Sequence, residues 1–195
     1  MSCRRVWLLG GLAMLLAACG GDAAPPDDAS ADSGTRPPPG ADAPGDPATW
    51  TVTAESYGPV RIGMTPDELR ARLGTLLVPR DSLSIECDYL AIGPNGPEVL
   101  FMVVGGEFVR LDVRDSAVMT SKGARIGNSE AMIGRLYGAD RVMATPHAYT
   151  DGHYLTVVPA GAGDDHRLVF ETDGRAVTEF RAGRLPMVGW VEGCS

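Results

Sequence analysis

The sequence predicts an α+β fold: two tandem helix–β-meander repeats packed as one pseudo-symmetric domain, with the helices on one face of an antiparallel sheet. Three observations carry that expectation. The segment 58–74 (GPVRIGMTPDELRARLG) returns as 122–138 (KGARIGNSEAMIGRLYG), with Arg61-Ile62-Gly63 matching Arg125-Ile126-Gly127, Thr65 matching Ser129 and Gly74 matching Gly138. A glycine-centred hairpin pattern follows each copy, VLFMVVGGEFVRLDV at 99–113 and RLVFETDGRAVTEFR at 167–181. Tyr89-Leu90 and Tyr154-Leu155 keep the same order in between. Two copies are too few for a solenoid, so both should bury their apolar faces in one shared domain.

Each copy opens with a helix. Thr65 is placed as N-cap, Pro66 as the first helical residue, and Glu68 completes a Thr-x-x-Glu capping box. Gly74 stops the helix, and Leu69 and Leu73 form one apolar stripe toward the sheet. The second helix keeps the Ser129 cap and the Gly138 stop. It lacks the capping glutamate and carries Gly134 in its interior, at a cost of about 1 kcal/mol.

Strands follow each helix. Residues 83–89 alternate, which puts Leu83, Ile85, Cys87 and Tyr89 on one face and points Cys87 into the core. The apolar run 99–104 turns at Gly105-Gly106 into 107–114. In the second copy, 168–172 turns at Asp173-Gly174 into 175–180, and a last short strand at 186–191 brings Cys194 back. Both copies read helix, then three strands: repeat one over about 58–116 and repeat two over about 122–184.

The N-terminal quarter differs in composition. Residues 20–49 hold seven of the 15 prolines, six Asp and one Arg, with no Val, Ile, Leu, Met or aromatic residue. Such a segment cannot bury enough apolar surface to offset its ordering entropy, so it should be a disordered tether. With a net charge of −8, the chain offers no basic footprint for nucleic acid. Ahead of the tether, Arg4-Arg5 precede an apolar run at 6–16. That run would cover about 16 Å as helix against a hydrocarbon core of about 30 Å, so it reads as an export signal rather than a span. The arginine pair fits a Sec n-region or a twin-arginine motif.

Leu16-Ala17-Ala18-Cys19-Gly20 resembles a bacterial lipobox. The resemblance implies cleavage before Cys19, a palmitate-type acyl group on its sulfur, and acylation of the new α-amine. Two acyl chains anchor a protein stably without spanning the bilayer. Gly20, where retained lipoproteins often carry aspartate, implies the outer membrane, facing the periplasm. The expected organisation is therefore a signal peptide at 1–18, a lipidated Cys19 and tether at 19–49, and the two-repeat domain at 50–195. Cys3 leaves with the signal, and Cys87 and Cys194 remain as an even pair for an oxidising compartment. They form either one bridge or two buried thiols. A bridge would close a loop of about 107 residues, worth about 4–5 kcal/mol in the chain-entropy picture.

The fragment Arg61-Ile62-Gly63-Met64-Thr65-x-x-Glu68-Leu69 through Leu73-Gly74 resembles the opening of the SmpA/OmlA small outer-membrane lipoproteins, which support β-barrel assembly. A tandem helix-plus-sheet unit is also similar to the β-lactamase inhibitor protein fold. Both likenesses rest on a helix start and imply a fold; neither supplies a binding residue for this chain.

No catalytic constellation stands out. Gly127-Asn128-Ser129-Glu130-Ala131 comes near a nucleophile elbow, yet Ser129 occupies the cap position of Thr65. His147, His153 and His166 lack metal-site spacing, so no cofactor or metal is expected. Lys122, the one lysine beside 16 arginines, reads as composition. Arg110, Asp112 and Arg114 alternate with Val109, Leu111 and Val113, which marks an outward-facing row as a possible interface. The expected function is a lipid-anchored envelope protein that binds another envelope or secreted protein, as scaffold or inhibitor, without catalysis. The alternatives are an envelope hydrolase and a structural lipoprotein with no dedicated partner.

Overall fold

The computed structural model describes residues 45–79 and 86–194. The expected signal peptide, Cys19, most of the tether, and Leu83 and Ile85 lie outside the described residues.

Among the described residues, two sheets and two short helices make an α+β fold that is mostly sheet. In order the elements are β1 (Thr51–Val52), β2 (Ser56–Tyr57), β3 (Val60–Arg61), α1 (Pro66–Leu73), β4 (Leu77–Pro79), β5 (Cys87–Ile92), β6 (Val99–Val104), β7 (Glu107–Val113), β8 (Met119–Thr120), α2 (Glu130–Tyr137), β9 (Val142–Pro146), β10 (His153–Val157), β11 (His166–Thr172) and β12 (Val177–Arg184). The large sheet runs β4-β5-β6-β7-β12-β11-β10-β9, antiparallel throughout. A small sheet runs β3-β2-β1-β8, with β1 parallel to β8.

The helix signals hold in detail. Thr65 Oγ1 accepts from the Glu68 amide, and Glu68 Oε2 accepts from the Thr65 amide at 2.8 Å. Ser129 Oγ caps α2 through the Met132 amide. Leu69, Leu73 and Ile133 are fully buried in one cluster with Phe101, Phe108, Phe170 and Phe180 of the large sheet. Glycine is needed just ahead of each helix. Gly63 and Gly127 have φ of 96° and 89°, which L side chains rarely adopt. Their amides donate to the carbonyls of Phe108 and Val177, and those two residues donate back to Met64 and Asn128. The chain is thereby clipped to the sheet where each helix begins.

Four strands of the large sheet follow each helix, not three. The additional edge strands β4 and β9 are too short, or too exposed, to give an alternation signal. The small sheet was not foreseen either, because its strands have two residues each. The folded region also starts earlier than residue 50. Asp46 caps a 3-10 turn at Pro47–Thr49, Pro47 is buried, and its carbonyl accepts from the Tyr57 hydroxyl at 2.7 Å.

The phase of β5 is opposite to the expected one. Leu90 and Ile92 enter the main core, while Cys87 and Tyr89 face the other side. Over 83–89 the polar Ser84, Glu86 and Asp88 favour the expected phase, but the set they belong to turns apolar at Leu90 and Ile92, and pairing of Leu90 with Phe101 sets that side toward the core. The expected strand at 186–191 is instead a 3-10 turn, Met187–Gly189, within a segment that leaves the sheet edge-wise register after Arg184 and crosses its second face.

Candidate functional site

The proposed outward row is the first place where the site differs from expectation. Arg110 and Asp112 are 3% and 6% exposed, and Arg181 and Glu171 on the neighbouring strands are 2% and 8% exposed. Pairing of β7 with β12 sets Arg181 directly opposite Asp112. The C-terminal segment then lies over these charges as a strap. Arg110 holds Asp112 through three hydrogen bonds of 2.6–3.1 Å and donates to the carbonyls of Met187 (3.1 Å) and Trp190 (2.5 Å). Arg181 donates to the Val188 carbonyl at 2.8 Å and to Glu171 Oε1. His147 stacks on Tyr154, its Nδ1 accepts from the Tyr149 amide, and its Nε2 therefore carries the hydrogen that meets Glu171 Oε2 at 3.2 Å. Cys87 and Cys194 are bonded, with Cα atoms 5.5 Å apart, which fixes the strap's end to β5.

So Arg110 and Asp112 are not a solvent-facing interface: they are spent on holding the chain's own C-terminus. Their alternation correctly put them on the face opposite the main core, but nothing local revealed that the strap covers it. Arg114 alone of the row stays exposed, 3.1 Å from Glu179. Burial, followed by the nearby Glu171 charge, pushes the Glu179 carboxyl above its ordinary range.

A second cluster involves His153, the first residue of β10. Its Nδ1 lies 2.9 Å from Glu130 Oε1, and Thr172 Oγ1 donates to the same oxygen at 2.5 Å while accepting the His153 amide at 2.9 Å. The Thr172 hydroxyl, then the histidine, holds the Glu130 carboxyl below its ordinary value. A hydrolytic triad needs its hydroxyl on the histidine nitrogen remote from the acid. Here the hydroxyl is on the acid itself. His166 Nδ1 sits 2.9 Å from Asp165 Oδ1 of the adjacent residue. Among the described residues no three His, Cys, Asp or Glu side chains gather as a metal site, and no helix is long and apolar enough to cross a membrane.

A cleft of about 600 Å³ lies between the small sheet, the end of α2 and the loop 159–162. Leu136, Tyr137, Leu168, Ala54 and Ala162 supply its apolar wall, and Ser56 and Ser121 supply hydroxyls. Burial pushes the Tyr137 hydroxyl up to about 12, so it stays protonated and donates to Thr120 Oγ1 at 2.8 Å. Arg61, Lys122 and Arg141 line the cleft and are exposed. None of these three side chains has an ion-pair partner among the described residues. Among the described residues lining the cleft, Glu55 is the one carboxylate, and it accepts the Gly163 amide at 2.7 Å, which ties the small sheet to the loop.

Sequence reasoning missed this cleft because its cations come from positions 61, 122 and 141, joined only by tertiary folding. The lone lysine was the one signal, and composition explained it equally well. Comparison with protein-family models, with curated proteins and with solved structures returns no match.

Proposed function

We propose that this chain is exported, anchored through lipid on Cys19, and acts from the outer membrane into the periplasm as a non-catalytic module that binds an envelope or secreted protein, as scaffold or inhibitor. The observation that carries binding is the cleft: three cations without ion-pair partners among the described residues, beside an apolar wall that includes Leu136 and Tyr137. A concave, largely apolar surface with a few polar groups is the ordinary form of a recognition site. The strap supports the same reading, since it covers Arg110 and Arg181 at the middle of the second sheet face with the chain itself.

In this reading the domain is a tandem duplication with both helices on one face of the large sheet. The support is the repeated sequence, the two halves of one helix and four large-sheet strands that meet at the central β7–β12 pair, and the matched Gly63 and Gly127 clips. An envelope hydrolase is the second reading, favoured only by the Glu130–His153 contact. Photo-crosslinking from positions 61, 122 and 141 in intact cells tests the function. Capture of a defined protein from these positions and not from position 185 on the strap is expected. Equal capture from the strap side would refute it. Loss of metabolic palmitate labelling in Cys19→Ser checks the anchor.

A further inference from the structure

We infer that the cleft recognises an acidic, apolar segment of the partner, in which a carboxylate lies next to a large hydrophobic side chain. This rests on the binding reading above and names its chemistry. Throughout the second sheet face, cations are consumed internally: Arg110 by Asp112 and Arg181 by Glu171. Arg61, Lys122 and Arg141 are different, because they converge on one cleft and lack anionic partners among the described residues.

The surroundings sharpen the point. The chain carries 25 acidic against 17 basic side chains, so a surface with three cations and one carboxylate runs against the protein's own balance. That one carboxylate is already engaged by the Gly163 amide. Like charges held near each other without counter-ions cost stability unless an anion arrives to meet them. The neighbouring wall of Leu136 and Tyr137 offers no hydrogen bond to a second charge except the Tyr137 oxygen, which is engaged with Thr120. It suits an apolar group beside the anion. Charge supplies steering and register, and the wall supplies the burial that a salt-screened surface pair lacks.

The test uses the full chain and a defined probe, 8-anilinonaphthalene-1-sulfonate, whose aromatic body and sulfonate mimic the proposed pair of groups. Its fluorescence should saturate at one equivalent and weaken about ten-fold in Arg61→Glu, Lys122→Glu or Arg141→Glu, the loss of one charge-assisted contact. Lys122→Arg should bind like the parent, and unchanged circular dichroism in each variant keeps the comparison valid. N-acetyl-Asp-Phe amide should then displace the probe at about one-tenth the concentration needed for N-acetyl-Asn-Phe amide. Equal potency of the two dipeptides, or charge reversals without effect, would overturn the inference. Displacement by laurate with both dipeptides inactive would overturn it in favour of a free amphiphile. Crosslinking from positions 61, 122 and 141 separates the failures: a partner captured there while the dipeptides fail leaves the binding reading standing and removes only its acidic chemistry.

Discussion

Replacing Arg110 by alanine should destabilise the protein by about 3–5 kcal/mol, the cost of leaving a buried carboxylate without its cation. Two consequences add up in the structure. Asp112, 6% exposed, loses all three of its guanidinium hydrogen bonds, and the Met187 and Trp190 carbonyls lose their donor. The carbonyls limit the loss, because small movements of the strap can offer them to water, whereas Asp112 is left without its cation beneath a strap still fastened through Arg181 and the Cys87–Cys194 bond. For a domain of this size about 1 kcal/mol shifts Tm by about 2–4 °C, so a fall of about 6–20 °C is expected. Urea unfolding followed by tryptophan fluorescence measures it with two reporters. Trp50 packs edge-on against Tyr57 in the core, and Trp190 lies in the strap. A double replacement, Arg110→Met with Asp112→Leu, should recover most of the loss, since neither charge is then stranded. A loss below about 1 kcal/mol for Arg110→Ala would refute the reasoning, because the strap could not then be burying the pair in solution.

Gly152→Ala should destabilise by about 1–3 kcal/mol, since an added Cβ would collide with the Thr172 carbonyl and lie 2.8 Å from the Gly174 nitrogen. Gly134→Ala should do the reverse and stabilise by about 1 kcal/mol, because its Cβ would meet nothing within 4 Å on a helical position; thermal unfolding of the pair decides both signs. Cys194→Ser should lower stability by about 4–5 kcal/mol in the chain-entropy picture and speed hydrogen exchange at 187–193 beyond the rest of the sheet, and equal rates would count against the strap as a separately fastened unit. Glu130 has a lowered pKa in the folded state, so its contribution to stability is present above the unfolded value near 4.5 and is lost as pH falls through the folded one. Thr172→Val removes the main cause and should raise the Glu130 titration midpoint in a carboxyl-detected NMR titration; an unmoved midpoint would show that another group holds it.

Local rules made much of the chain legible. Thr65, Glu68 and Gly74 mark α1 because a cap, a box and a stop act within one helical turn. The run at 99–104 and the positive φ of Gly105 and Gly106 mark the hairpin of β6 and β7 for the same reason. The two-residue strands of the small sheet escaped, since they hold together by pairing with distant chain and not by any pattern of their own. The phase of β5 escaped because the alternation at 83–89 sets polar residues on the side that Leu90 and Ile92 then carry into the core, and the partner strand decides which of the two prevails.

The site divides along the same line. Sequence by itself determined the export and anchoring signals as expectations, the even cysteine pair, the helix starts, and the face of the sheet on which Arg110 and Asp112 stand. Each depends on residues within a few positions of one another or on simple counting. Tertiary structure alone decided that those two side chains are buried, that Cys87 meets Cys194, and that Arg61, Lys122 and Arg141 share a cleft. The physical reason is that charge has no meaning for function until its neighbours are fixed. An arginine beside a buried aspartate is structural and the same side chain facing an open apolar wall is a recognition element; for Arg110 the covering carbonyls that make the difference lie 77 and 80 residues away along the chain.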